Sequence, residues 1–163
     1  MKEAHLKALL VDPENNSLVM LLEDVSSSKA MPILIGKAEA MSIAIELQGQ
    51  TFPRPLTHDL MKRLLETLGG TLERVVISNV EEGTFYATLY VRTQDEQVVE
   101  LDARPSDSVA LALRTRSPIF IADDVFEKSA IESPFTDEDE EKKFEEFVDQ
   151  DLQLSEFKRR EEE

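Results

Sequence analysis

Residues 72–102 read LERVVISNVEEGTFYATLYVRTQDEQVVELD, and this stretch decides the fold class. It contains three runs rich in β-branched and aromatic residues, at positions 72–80, 84–92 and 97–102, separated by two short polar segments. The first segment ends in Gly83, a residue that suits a tight hairpin turn. Side chains alternate along the middle run, so that one face of the strand is apolar. The stretch therefore predicts an antiparallel meander of three strands.

The sequence before and after the meander adds a hairpin and several helices. Two apolar runs, 3–11 and 18–22, lie on either side of the turn-like segment DPENN at 12–16, which indicates a β-hairpin. Helical patterns occur at residues 37–47, after Thr57 and after Pro105. We therefore expect one compact α+β domain over residues 1–133, with a largely antiparallel sheet.

The last thirty residues differ from the rest of the chain in composition. The 163-residue chain has a formal net charge of −16, and residues 134–163 hold 13 acids and 5 bases, so half of the charge lies there. An apolar seam runs through this segment, formed by Phe144, Phe147, Val148 and Leu152. We expect an acidic C-terminal helix that docks on the domain or on a partner.

Composition also excludes several classes of protein and site. The chain contains no cysteine, which excludes disulfides, thiolate metal sites and cysteine nucleophiles. No apolar run approaches the ~18 residues of a membrane span, and no signal-peptide pattern begins the chain. We therefore expect a cytoplasmic protein that does not enter a membrane.

Two polar stretches lie at predicted helix starts, each close to a proline. They read FPRPLTHD at 52–59 and LDARPSD at 101–107. Helix N-termini present free N–H groups and a partial positive charge, which favour phosphate or carboxylate. The stretches predict an anion site with three substrate-binding residues, Arg54, Arg104 and Ser106.

The same stretches also supply candidates for acid–base and metal chemistry. The candidate catalytic residues are His58, Asp59, Asp102 and Asp107. If the helix starts converge, carboxylates can hold Mg²⁺ or Mn²⁺, and the candidate ligands are Asp102, Asp107 and Glu39, with Asp59 as an alternative to Glu39. A cation held there polarises a phosphodiester and generates hydroxide, while the arginines clamp phosphate oxygens and His58 moves a proton.

A purely structural reading of these residues is also open. Asp59 and Asp107 are residue types that ordinary helix starts use, and the arginines can simply pair with neighbouring acids. A lone histidine such as His58 is more often a packing or capping residue than a catalyst. The chain carries no Gly-rich phosphate loop, Gly-x-Ser-x-Gly elbow, His-Glu-x-x-His pair or EF-hand loop to decide the question.

Four segments occur in a fixed order along the chain: MPILIG at 31–36 with Glu39 in the helix after it, RPLTHDL at 54–60, TFYA at 84–87 and DARPSD at 102–107 followed by ALA at 110–112. In their order and spacing, these segments resemble the bifunctional nuclease family. The resemblance covers about residues 3–132. It implies a mixed β-sheet with packed helices, nuclease activity on RNA and DNA, and self-association, so we expect a homodimer.

Two functions follow as hypotheses. The first is metal-assisted hydrolysis of phosphodiester bonds in RNA and DNA. The second is a non-catalytic oligomeric binding or regulatory module, whose polar motifs are structural and whose tail recruits partners. The charge of −16 favours the second, because nucleic-acid binding normally draws on Lys and Arg.

Overall fold

A computed structural model describes residues 1–133 of the chain. In chain order its elements are β1 Lys2–Asp12, β2 Ser17–Asp24, β3 Lys29–Ile35, α1 Lys37–Leu47, α2 Thr57–Thr67, β4 Thr71–Glu81, β5 Thr84–Arg92, β6 Val98–Ala103, α3 Pro105–Thr115, β7 Ile119–Ile121, α4 Asp123–Ser129 and β8 Ile131–Glu132. The acidic helix and the tail domain expected at residues 134–163 lie outside these residues.

All eight strands belong to one sheet, in the order β6-β5-β4-β7-β1-β2-β3-β8. The predicted meander is the β4, β5, β6 end, and the predicted hairpin is β1 with β2. The short strand β7 joins these two antiparallel groups, because it pairs antiparallel with β1 and parallel with β4. The predicted α+β class, with a mixed and largely antiparallel sheet, is therefore confirmed.

The turn between β4 and β5 shows how local sequence sets the register. Glu81 pairs with Thr84, which leaves Glu82 and Gly83 as a two-residue loop. Both loop residues have positive φ, at 50° and 80°, as a type I′ hairpin turn requires. Gly83 adopts this conformation without steric cost, so the turn fixes the pairing of the two longest meander strands.

The core lies between one face of the sheet and the helices. Alternate strand residues such as Met20 and Leu22 face this core, while Leu21 belongs to a smaller cluster on the opposite face with Ala8 and Ala30. Helices α1 and α3 pack on the sheet through Ile43 and Val109, both fully buried. Helix α2 packs against α3. The starts of α2 and α3 are therefore held close to α1.

The apolar residues of helix α2 divide between two environments. Met61 and Leu65 pack on the core. Leu60, Leu64 and Leu68 are exposed, because α2 lies on the outside of the helix layer and contacts it along one line of residues. The helix thus presents a leucine row to solvent.

Within the described residues, no helix has the length and apolar character needed to cross a membrane.

Candidate active site

A cleft lies where α1 meets the starts of α2 and α3. It has a volume of about 540 Å³. Its polar lining comes from Glu39 and Ser42 of α1, Thr57 and His58 of α2, and Arg104 and Asp107 beside and within α3. The remaining lining residues are apolar: Ala38, Met41, Ile45, Pro55 and Leu56. An apolar cavity with a few convergent polar groups has the character of a small-ligand or active site.

His58 is the central side chain of the cleft. Only 5% of its surface is exposed. Its Nε2 lies 2.9 Å from Asp107 Oδ1, and its Nδ1 lies 2.6 Å from Ser42 Oγ. The ring therefore connects a serine of α1 to an aspartate of α3, and both of its nitrogens have a protein partner.

Arg104 stands at the mouth of the cleft, just before α3. Its Nε and Nη2 donate to Asp107 Oδ2 at 2.8 Å and 2.7 Å, and Nη2 also donates to Glu39 Oε1 at 2.8 Å. The hydrogen bond that Arg104 donates to Asp107, together with the one it donates to Glu39, raises the pKa of Arg104 above its ordinary value. Its side chain is 66% exposed, so the guanidinium also faces solvent.

Asp59 belongs to a second cluster behind the cleft. Its Oδ1 accepts a hydrogen bond from Arg114 Nε at 2.8 Å, and its Oδ2 accepts one from the Leu56 N–H at 3.0 Å. Burial raises the pKa of Asp59, but these two hydrogen bonds outweigh it, so the pKa lies below the ordinary value. Arg114 is buried and also donates to the backbone oxygens of Ala110 and Ser42. This cluster fixes the relative positions of α1, α2 and α3.

The structure gathers some of the predicted site residues and separates others. Glu39, His58, Arg104 and Asp107 share the cleft. Ser106 is buried and lines an adjoining depression of about 370 Å³ on the other side of Arg104. Arg54 is exposed in the connection before α2 and lies outside the lining of both cavities.

Asp102 lies on the opposite side of the sheet from the cleft. It pairs with Thr88 in β5, and side chains opposite each other in a ladder share a face. The neighbouring residues Ala87 and Leu89 face the helices and the core, so Thr88 and Asp102 face away from them. Of the three predicted metal ligands, only Glu39 and Asp107 therefore meet, and both contact Arg104.

The described residues contain no group of three or more His, Asp or Glu side chains arranged to hold a metal ion. Glu39 and Asp107 are the two predicted ligands that lie together, and both carboxylates are already paired with the Arg104 guanidinium, whose positive charge repels a cation placed beside it. The predicted donor set does not fit a protein cage for Mg²⁺ or Mn²⁺. A role for a divalent cation stays a prediction.

The comparison with known protein families bears on the same region. The family model for the bifunctional nuclease domain matches residues 20–134, most of the described fold. The chain belongs to this family. Every residue of the cleft lies inside the matched range.

Individual relatives of the bifunctional nuclease domain fall into two groups. An uncharacterized protein of Mycobacterium tuberculosis strain H37Rv is 39% identical over 158 residues, covering 91% of this chain and 94% of that protein. The chain is also similar to Bifunctional nuclease 1 of Oryza sativa subsp. indica, 26% identical over 107 residues, and to Bifunctional nuclease 2 of Arabidopsis thaliana, 22% identical over 107 residues. Each plant match covers 64% of this chain and 32% of the plant protein.

Sequence patterns did not single out two polar side chains that contact other helices at or behind the cleft, Ser42 and Arg114. Ser42 is a single hydroxyl in the apolar helix AEAMSIAI at 38–45, and Arg114 follows the apolar run VALAL at 109–113. A polar residue inside an apolar helix must find a buried partner, and that was the available signal. For both side chains the partner lies on another helix, and the periodicity of the sequence does not show which helix that is.

Proposed function

We propose that this chain hydrolyses phosphodiester bonds in RNA and DNA at the cleft between α1, α2 and α3. The observation that carries the proposal is the convergence of Asp107 with His58 and Arg104, three residues from two helix starts. Membership of the bifunctional nuclease domain family supports the reaction class. The plant relatives named as bifunctional nucleases support it further.

Arg104 is proposed to bind the phosphate. A guanidinium carries five N–H donors, and Arg104 uses those of Nε and Nη2 for Asp107 and Glu39. The donors of Nη1 remain on an exposed side chain at the mouth of the cleft. A phosphate oxygen placed there accepts a charge-assisted hydrogen bond, and the developing negative charge of the reaction faces a cation.

His58 is proposed to move the proton. It lies deep in the cleft, and Asp107 holds its ring in place through Nε2. A histidine fixed in this way is a general acid–base of the kind that phosphodiester hydrolysis requires. Asp107 is proposed to orient the ring and to join it to Arg104, so that the phosphate-binding and proton-moving groups act as one unit.

The test is cleavage of labelled single-stranded RNA and DNA by the purified chain. Arg104→Lys keeps the charge but loses the guanidinium fork, and we expect cleavage to fall roughly 10- to 100-fold. The matched control is Arg63→Lys at an exposed position of α2, which we expect to change the rate by about twofold or less. Equal rates for the two variants would overturn the assignment of Arg104.

Metal assistance is a separate part of the proposal. The same assay is run with Mg²⁺, with Mn²⁺ and with EDTA. Loss of cleavage in EDTA, restored by one of the two ions, supports a required cation. Full cleavage in EDTA would show that no metal ion is required. The proposed hydrolysis and the roles of its protein residues would then still stand.

Two observations in the structure support the non-catalytic alternative. Asp59 caps its own helix and is paired with Arg114, as a purely structural acid would be. The exposed row of Leu60, Leu64 and Leu68 suits a partner surface. Asp107, however, bonds to a histidine from another helix, and this contact supports the enzyme.

The homodimer is also part of the proposal. Exposed apolar residues on α2 and on the edge strand β6, including Val98 and Leu101, support association with another chain. Light scattering at micromolar concentration should return twice the chain mass of 18.5 kDa. The monomer mass would contradict it. Cytoplasmic location stays a prediction, for which cell fractionation is the test.

A further inference from the structure

Each ring nitrogen of His58 is hydrogen-bonded to a protein side chain, and these two contacts determine which nitrogen carries the proton of the neutral ring. The carboxylate of Asp107 accepts two hydrogen bonds from Arg104 at Oδ2, so it acts as a hydrogen-bond acceptor in this cluster. The 2.9 Å contact between its Oδ1 and His58 therefore places a proton on Nε2. In the neutral ring Nδ1 is then the acceptor.

Ser42 completes the arrangement. Its Oγ lies 2.6 Å from His58 Nδ1, so the serine O–H donates to the unprotonated nitrogen. The chain of contacts runs from a hydroxyl to a base and from the base to an orienting acid, which is the connectivity of an activated nucleophile. Ser42 also lines the cleft, where a substrate phosphorus can reach it.

The backbone of Ser42 is held as firmly as its side chain. Arg114 Nη2 donates to the Ser42 carbonyl at 3.1 Å, while the same guanidinium bonds to Asp59 and to Ala110. This buried arginine ties the serine of α1 to the two helices that carry His58 and Asp107. The contact between serine and histidine is thus supported from outside the cleft.

We propose that Ser42 is the nucleophile of this site and that it forms a covalent phosphoseryl intermediate with a nucleic-acid strand. The inference rests on the proposed function and deepens it. In the first step Ser42 Oγ bonds to phosphorus, its proton passes to His58 Nδ1, and the bond from phosphorus to the leaving sugar oxygen breaks. That oxygen takes the proton from His58, so one strand leaves with a hydroxyl and the other stays esterified to the serine.

The second step returns the site to its starting state. Water bonds to phosphorus and gives one proton to His58 Nδ1. The bond between phosphorus and Ser42 Oγ breaks, and the serine oxygen takes that proton back. The second strand leaves with a terminal phosphate, and every atom and electron is accounted for without a further reactant.

The absence of cysteine from the chain gives a direct chemical test. Ser42→Cys introduces a single thiol next to His58 Nδ1, and its reaction with iodoacetamide is followed by intact mass between pH 6 and 9. A thiol whose proton is taken by a neighbouring histidine alkylates rapidly at neutral pH. We expect the rate at pH 7 to be about tenfold or more above that of the double variant Ser42→Cys/His58→Gln.

A control cysteine separates this effect from simple exposure. Ser78 is a half-buried serine of β4 whose Oγ bonds to the Tyr86 carbonyl, and Ser78→Cys should alkylate slowly at pH 7 and faster as the pH rises. Unfolding curves confirm that the variants are folded. Equal alkylation of Ser42→Cys with and without His58 would overturn the proposal.

A second test keeps Ser42 unchanged, so that the contact between its hydroxyl and His58 is measured as it occurs in the chain. The chain has two histidines, so His5→Gln leaves His58 as the single imidazole. Nitrogen-15 NMR at alkaline pH should show the neutral ring protonated at Nε2. A neutral ring protonated at Nδ1 would overturn the proposal, because that nitrogen would donate to Ser42 and could not take its proton.

Nucleic-acid cleavage separates this inference from the proposed function. Ser42→Ala should lose cleavage, and rapid acid quenching of the unsubstituted chain should trap a strand on the Ser42 peptide. Unchanged cleavage by Ser42→Ala would overturn the nucleophile and leave the nuclease standing. Rapid alkylation of Ser42→Cys without cleavage of RNA or DNA by the unsubstituted chain would instead overturn the nuclease and support a serine nucleophile for another substrate.

Discussion

Asp59 and Asp107 are each the third residue of a helix, yet their contacts differ. Asp59 accepts a hydrogen bond from the N–H of Leu56, just before its own helix, and pairs with the buried Arg114. Asp107 instead contacts His58 from another helix and Arg104. The first arrangement stabilises the helix start, and the second joins two helices across a cleft. Asp59 is therefore assigned to the stability of the fold, and Asp107 to the proposed active site.

Asp59 is therefore expected to act mainly on stability, with a defined dependence on pH. Its pKa is below the ordinary value in the folded chain, so its contribution is present above the unfolded pKa, about 3.9, and is lost as the pH falls through the folded pKa. Asp59→Asn should lower the urea midpoint at pH 7. The difference from the unsubstituted chain should shrink below about pH 4.

The control for this prediction is Asp95→Asn in the exposed turn before β6, which should change the midpoint little at either pH. A deficit of Asp59→Asn that is the same at pH 7 and pH 3 would contradict the assigned ion pair.

The sequence predicts well which residues are candidates for the site, but it predicts poorly which side chains contact one another. Proline, aspartate and arginine at two helix starts indicate an anion site, and four of the predicted residues do share the cleft. Asp102 and Asp107 are equally attractive in the sequence, but strand alternation turns Asp102 to the other face of the sheet. No sequence motif marks Ser42, because its proposed role depends on the imidazole of His58, which lies on a different helix, α2.

At the level of elements, the junction between β3 and α1 positions Glu39. Gly36 precedes α1 with φ of −80° and ψ of 161°, a conformation open to any residue. A Cβ on Gly36 would overlap the end of the Glu39 side chain, which is flexible and can move aside. Glycine therefore leaves room for Glu39 to reach Arg104.

Gly36→Ala tests whether this junction matters for the site. We expect cleavage to fall about as far as in Glu39→Ala, because both changes remove the contact between Glu39 and Arg104, while stability changes by about 0.5 kcal/mol or less. The double variant Gly36→Ala/Glu39→Ala should be no worse than Glu39→Ala alone. Additive losses in the double variant would show that Gly36 acts through another contact.

Local patterns predict the elements of this fold better than their order in the sheet. Gly83 identifies the β4–β5 turn, and Pro105 is the first residue of α3 as expected. The position of β7 between β1 and β4 has no such signal, because a three-residue strand carries little pattern. Helix α2 shows the same limit, since the sequence predicts the helix, but which of its apolar residues are buried depends on where the helix packs.

For the whole molecule, charge is the property that most constrains binding. The net charge of −16 divides equally between residues 1–133 and residues 134–163. A polyanion therefore meets repulsion at long range, and the attraction must come from the local guanidinium of Arg104. Substrate binding is expected to be weak and to rely on short-range contacts in the cleft.

Removal of residues 134–163 tests whether their negative charge opposes the binding of nucleic acid. The shortened chain should fold, because residues 1–133 by themselves contain an eight-stranded sheet with a buried core. It should bind single-stranded RNA more tightly at low salt, and the gain should disappear at high salt as screening removes the repulsion. Fluorescence anisotropy at two salt concentrations measures both effects. An unchanged affinity at low salt would show that these residues do not oppose binding.

The most direct test of the site compares two acids that lie five residues apart in the sequence. Asp107→Asn removes the carboxylate that orients His58, whereas Asp102→Asn changes an exposed strand residue on the other face of the sheet. With labelled single-stranded RNA as substrate, Asp107→Asn should lower the cleavage rate about 100-fold or more, since the loss of a positioned acid–base is of this order. Asp102→Asn should stay within about twofold of the unsubstituted chain. Equal rates for the two variants would contradict the proposed active site.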